Sequence, residues 1–252
     1  MLLTPELQES GEFFEVASLA TLIRQRVSAP KARDLQIAIG PSSIGDPCDH
    51  CVGEILRAKV PGAPIPRPQR FSLAPWIGTG VHLLFEQIMD GLDGWQSERR
   101  LYCGDILGRD GNPDYGEVWG SADGYHEPAA TVVDWKVVGD TTLKRLRNGQ
   151  TSTAYRYQKQ TYGRGYELLG YPVRSVLNVY IPRNGRDERD FIFDVDHYDG
   201  TMAEEAFERA TVIWNDYVCT DRVHWLESDP DCFNCNRWEP APTGMKGLSR
   251  RA

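Results

Sequence analysis

Residues 120–136, GSADGYHEPAATVVDWK, end on Asp134-Trp135-Lys136, a carboxylate and an ammonium two positions apart. On a β-strand such a pair shares one face while Trp135 points to the other. Asp123 lies roughly ten residues upstream, across a turn, where an adjacent antiparallel strand would bring it beside Asp134. Two carboxylates at that distance repel and raise a pKa unless a cation stands between them. Mg²⁺ resolves the conflict, because it takes one or two carboxylates together with water and phosphate oxygens. Lys136 is then placed to orient a water or to neutralise charge developing on a phosphate. By itself, D-x-K is a poor signal that reads more readily as a surface ion pair at a strand end.

Further residues carry chemistry of the same kind. GTGVHLLFEQ sets His82 and Glu86 four apart on one face of a helix, and imidazole and carboxylate are both metal ligands. YRYQKQTY begins a stripe of Tyr155, Gln158, Tyr162 and Tyr166 at helical spacing, flanked by Arg156, Lys159 and Arg164. Aromatic and amide groups among cations suit a nucleic-acid strand. The chain of 252 residues has a formal net charge of −8, which argues against a protein that coats nucleic acid without specificity. Within it, residues 141–189 hold ten basic residues, Lys144 and Arg147 among them, against three acidic ones. That segment is either a footprint for a phosphate backbone or a solvated basic face.

The elements that must position these groups read as follows. A helical region spans about 12–27, and the proline-rich 60–71 is an extended connector. Residues 76–92 have Ile77, Val81, Leu84, Phe85 and Ile88 at helical spacing. Strands follow at 99–107, 117–127 and 131–138, then a helix at 154–170 closed by Gly170 and Pro172. A strand at 174–182, a turn, a strand at 190–196 and a long amphipathic helix at about 200–218 complete the pattern. The expected fold is a single α/β domain with a mixed sheet flanked by helices. Its parts are an N-terminal helical and cysteine segment (1–70), a core (71–196) and a C-terminal helix with a cysteine tail (197–252).

In this order, G-x-x-x-H-x-x-x-E from Gly78, G-x-x-D from Gly120 to Asp123, D-x-K, and Q-x-x-x-Y from Gln158 to Tyr162 resemble one superfamily. It is the RecB-like branch of the PD-(D/E)XK nucleases, including the CRISPR-associated RecB-like exonucleases; the match covers about residues 76–182. The resemblance implies a restriction-endonuclease-like core and a metal-dependent DNA exonuclease, viral or CRISPR-linked, acting in replication, recombination or repair. It implies that His82, Asp123, Asp134 and the main-chain carbonyl of Trp135 bind Mg²⁺ or Mn²⁺. Lys136 assists the attacking water, while Gln158 and Tyr162 position the lysine and the DNA. Asp123 follows Ala122 where the superfamily's name motif has proline, but Gly-x-x-Asp is common in the RecB-like branch. The alternative is a non-catalytic nucleic-acid-binding protein of the same fold with a structural zinc site.

Cys48-x-x-Cys51 and Cys232-x-x-Cys235 flank this core. Two such pairs in an intracellular chain point to a metal site over a disulfide framework. Four thiolates close either a tetrahedral Zn²⁺ or a [4Fe–4S] cluster, and the 2+2 spacing favours zinc. The resemblance implies iron–sulfur, because related nucleases staple the segment before the core to the tail with such a cluster. Their usual arrangement is one cysteine before the core and three after it. Cys103 reads as a small buried hydrophobe, Cys219 as a substitute ligand, and His50 as incidental.

Partners expected are a DNA single strand or duplex end, with a homo-oligomer or a recombination or replication protein as further candidates. No apolar run reaches a membrane span and the first residues lack signal-peptide features, so the expected location is the cytoplasm of a bacterial cell or an infected host. The chain lacks G-x-x-x-x-G-K-[ST] and so would not unwind DNA by itself.

Overall fold

The computed structural model of the chain describes residues 19, 21–26, 38–63, 72–230, 232 and 234–238. Contacts divide the chain into two units, residues 1–36 and 37–252. In the first, residues 21–26 are helical; the remainder of the expected 12–27 helix, apart from Leu19, lies outside the described residues, as does 64–71 of the connector. The second unit contains α1 (Pro41–Ile44), α2 (Asp49–Arg57), α3 (Leu73–Met89), β1 (Trp95–Leu107), β2 (Pro113–His126) and β3 (Thr131–Val138). After these come α4 (Asp140–Arg147), α5 (Thr153–Leu168), β4 (Ser175–Pro182), β5 (Ile192–His197) and α6 (Gly200–Ile213). No described helix is long and apolar enough to cross a membrane.

The five strands lie in the order β1-β2-β3-β4-β5. β3 and β4 pair in parallel through the α4–α5 crossover, and all other neighbours are antiparallel. Helices cover both faces. On one, Val81, Phe85 and Met89 of α3 pack on Val133, Trp135, Val179 and Ile181. Trp135 stacks on Phe85 at 4.6 Å and on Trp95 at 6.0 Å between ring centroids. Each aromatic contact adds roughly 0.5–1.5 kcal/mol beyond its buried area and, with the backbone ladders to β2 and β4, keeps Trp135 on the α3 side of β3. Asp134 and Lys136 are thereby fixed on the opposite face.

That opposite face carries the larger core. Tyr162 and Tyr166 of α5, with Ala206, Phe207, Ala210 and Ile213 of α6, cover Leu101, Cys103, Val118, Ala122, Val132 and Val176. Tyr166 stacks on Tyr125 at 4.4 Å, which places the end of the tyrosine stripe in the core.

Within the second unit every expected strand and helix is present; α1 and α2 were not expected, and two further differences stand out. α4 was not read from the sequence, because only Leu143 and Leu146 of its eight residues are buried and the apolar signal is thin. The last helix does not run evenly to 218. At Trp214–Val218 it widens into a π-turn, in which the Cys219 N–H reaches the Trp214 carbonyl at 2.9 Å. There Asn215 Nδ2 donates to both Leu107 O and Thr211 O, tying the widened turn to the end of β1.

Candidate active site

The β2–β3 ladder runs from His126/Thr131 to Gly124/Val133 and stops one position short of Asp123 and Asp134. There the strands part, and a side chain takes over from the backbone. Asp123 Oδ2 accepts the Trp135 N–H at 2.7 Å. Within a strand a residue's N–H and C=O point to the same edge, so the Trp135 carbonyl is turned toward β2 as well.

Two groups adjoin this opening, His82 with Asp123 on one side and Asp134 with Lys136 and Gln158 on the other, and Asp134 is not among the ligand atoms that lie within 4.8 Å of one another around Asp123. His82 of α3 sets its Nδ1 3.3 Å from Asp123 Oδ1. Asp134 is 1 % exposed, with Oδ2 ion-paired to Lys136 Nζ and Oδ1 accepting from Gln158 Nε2 at 3.3 Å. The Lys136 ammonium lies 5.1 Å from the centre of the Tyr155 ring. Tyr162 stands one turn beyond Gln158, buried, and its ring lies against Gly120. A Cβ on Gly120 would fall 3.0 Å from that ring and 2.6 Å from Pro41, which explains the glycine of G-x-x-D.

The electrostatics match two carboxylates that share a confined site. Burial pushes the Asp134 carboxyl up to about 6; Lys136 opposes the rise and the nearby Asp123 adds to it. Burial depresses the His82 imidazole, but its hydrogen bond to Asp123 and the charges of Asp123 and Asp134 outweigh this and raise its pKa. Burial, followed by the charge of Asp134, raises the Tyr162 phenol.

Sequence reasoning missed Glu98. It sits opposite Asp123 on β1, between the Ser97/Gly124 and Arg99/Ala122 pairs. His82, Glu98 and Asp123 each offer a ligand atom, all within 4.8 Å of one another. Both strands change phase at this point: Trp95 faces α3 whereas Leu101 and Cys103 face α5. The kink requires φ = +48° at Glu98, a left-handed conformation costly for a residue with a Cβ. QSERRL carries no signal for any of this; only pairing with β2 places Glu98 at the site. Imidazole and carboxylate oxygens gathered at one strand opening form a donor set that fits Mg²⁺ or Mn²⁺.

Several solved structures resemble this one. An alkaline exonuclease (LHK-Exo) from Laribacter hongkongensis superposes with a TM-score of 0.50 at 13% identity, covering 77% of this chain and 93% of that one. The chain has that exonuclease's fold. A phage-related exonuclease from Haemophilus somnus 129PT gives a TM-score of 0.49 at 10% identity, covering 73% and 94%. No family model matches the chain, and no curated protein matches it. The restriction-endonuclease-like α/β core expected from the sequence is therefore the observed fold.

Not every expected residue reaches the opening. Lys159, expected to meet DNA, is fully buried: its Nζ lies 3.1 Å from Asp194 Oδ2 and 3.0 Å from Asp196 Oδ2. Arg164 turns toward α6, pairing with Glu204 at 2.9 Å and donating to the Cys103 carbonyl. Lys159 is thereby corrected to a structural role, whereas Arg164 stays partly exposed and its partner Glu204 lies on the surface. Arg156 remains half exposed, 3.7 Å from Asp196. Lys144 and Arg147 stand exposed on α4, which leaves the end of β3 just past Lys136.

The four paired cysteines also meet. Cys48 caps α2, Cys51 lies in its first turn, and both face Cys232 and Cys235 of the tail in a buried cluster closed by Trp238. Cys103 is buried in the main core, as expected; Cys219 is exposed beside Asp114 and outside the group of four, so it is not a substitute ligand. His50 is buried and makes a 3.6 Å contact with Glu54, which Arg57 grips with two nitrogens.

Proposed function

We propose that the chain is a divalent-metal-dependent DNA exonuclease that hydrolyses phosphodiester bonds at a DNA end or along a single strand, in replication, recombination or repair. The observation that carries this reading is a pair of neighbouring groups where β2 and β3 part: His82 with Asp123, and Asp134 with Lys136. The exonuclease fold supports it.

A divalent cation held by His82, Asp123, Asp134 and the Trp135 carbonyl, with Glu98 alongside, would polarise a phosphoryl oxygen and lower the pKa of water there. Water adds its oxygen to phosphorus, the ester P–O bond breaks, and the leaving oxygen takes up a proton. Lys136 supplies a fixed positive charge where the phosphate becomes more negative, in a setting dry enough for that charge to count. Gln158 holds Asp134 in place, so that Lys136 has a defined partner. Tyr162, one turn beyond Gln158 and packed in the core against Gly120, helps position that helix face toward the lysine and the DNA. Tyr155 lies beside Lys136, while Arg156, Lys144 and Arg147 offer cations to the strand's phosphates.

The test is hydrolysis of linear and covalently closed circular DNA by the purified chain with Mg²⁺ or Mn²⁺. The reading requires acid-soluble nucleotides from linear DNA, none from intact circles, and complete inhibition by a chelator. Failure to hydrolyse with either ion, or hydrolysis that persists in chelator, would overturn it.

A further inference from the structure

The motif resemblance in the sequence implies a [4Fe–4S] cluster at the four cysteines, and the sulfur positions do not fit one. Sγ–Sγ distances are 3.2 Å for Cys48–Cys235, 3.4 Å for Cys51–Cys235 and 3.6 Å for Cys51–Cys232. All four sulfurs lie within 4.8 Å of one another. In a cubane each thiolate binds a different iron and points outward, so the sulfurs stand on the order of 6 Å apart. A [2Fe–2S] centre likewise separates the two thiolates on one iron from the two on the other. Neither fits inside a ring this small. Four thiolates around one ion at about 2.3 Å lie about 3.8 Å apart, which is close to what is found.

From this spacing we infer that Cys48, Cys51, Cys232 and Cys235 bind one tetrahedral Zn²⁺. The donor set is soft, and among the described residues these four thiolates close the tetrahedron with no fifth group, so the ion is structural. Among ions of this geometry Zn²⁺ binds such ligands more tightly than Fe²⁺. The 2+2 arrangement serves this purpose, because each Cys-x-x-Cys turn delivers two adjacent corners of one small tetrahedron.

The zinc ties α2 to the tail. Around it α2 packs on the π-turn and on the short helical turn at Val223–Trp225, and the His50 N–H bonds to the Glu227 carbonyl at 3.2 Å. Gly53 allows that approach, since a Cβ there would meet Leu226 at 2.4 Å.

The experiment is metal and sulfide analysis of the full chain, purified without oxygen from an iron-replete host, before and after treatment with iron and sulfide. X-ray absorption is recorded at the metal edge. We expect about one zinc per chain, no acid-labile sulfide, no broad visible absorbance, and a single metal–sulfur shell near ~2.3 Å without metal–metal scattering. Replacement by Co²⁺ should give the strong visible bands of a tetrahedral thiolate site. Cys232→His, which keeps a tetrahedral donor, should still hold one zinc. Iron and sulfide in equal amounts, a single iron without sulfide, or no metal at all would each overturn the inference. None of these results depends on nuclease activity.

Discussion

Asp123 accepts the main-chain N–H of Trp135 at 2.7 Å, so a candidate metal ligand also closes the gap where two strands part. One oxygen of the carboxylate is committed to the fold and the other faces His82. Asparagine can keep the first role and not the second. Asp123→Asn should leave stability close to wild type and lower hydrolysis by on the order of 10²-fold or more, as expected for a group aimed at developing charge. Asp123→Ala should do the same to hydrolysis and also cost about 1–3 kcal/mol, because the Trp135 N–H is left unpaired. Urea unfolding alongside rate measurements separates the two effects; equal stability of the variants would refute the double role.

Glu98 makes a prediction of opposite signs. Glu98→Gly should raise stability by up to about 1 kcal/mol, since glycine adopts φ = +48° without a Cβ clash. The same change should raise the Mn²⁺ concentration needed for half-maximal hydrolysis several-fold, as should His82→Ala. Overlapping metal titrations for Glu98→Gly and wild type would leave Glu98 a bystander.

The glycines of the motifs differ in their reasons. A Cβ on Gly120 would meet Pro41 and Tyr162, whereas one on Gly78 would meet nothing within 4 Å. Gly120→Ala should lower both the melting temperature and the rate of hydrolysis. Gly78→Ala, in the interior of α3, should add about 0.5–1 kcal/mol through helix propensity. Thermal melts of the two single variants decide the matter.

How far the site could be read in advance depended on whether a residue's role is local. Asp134 and Lys136 share a face by strand geometry alone, and His82 stands with Glu86 on one face of a helix whose other face is apolar. Glu98 acts only because β1 and β2 kink together, a pairing fact that no local pattern records. Lys159 fails for the same reason in reverse. As one cation in a basic helix it resembles a DNA contact, yet Asp194 and Asp196 reach it from β5, far along the chain. α4 escaped notice because most of its surface is wet and its apolar period is only two residues deep.

Lys159 and the α4 cations should therefore separate in solution. Lys159→Ala should destabilise the fold by roughly 1–3 kcal/mol, because it removes a buried cation from two partly exposed carboxylates. Lys144→Ala with Arg147→Ala should leave stability within about 0.5 kcal/mol, as surface changes do. That pair should also weaken DNA binding uniformly across sequences and flatten its salt dependence by about two phosphate contacts. Denaturation and binding titrations at several salt concentrations test both.

The central claim is that Asp134 belongs to a cation site that hydrolyses DNA. Mn²⁺ binding, followed by electron paramagnetic resonance, should be measured for wild type and Asp134→Asn together with release of label from end-labelled linear DNA. The substitution should weaken Mn²⁺ binding by about tenfold or more, the loss of one charged ligand, and abolish release. The circular dichroism spectrum and the DNA affinity in chelator should stay those of wild type. Wild-type release of nucleotides by Asp134→Asn would contradict the account.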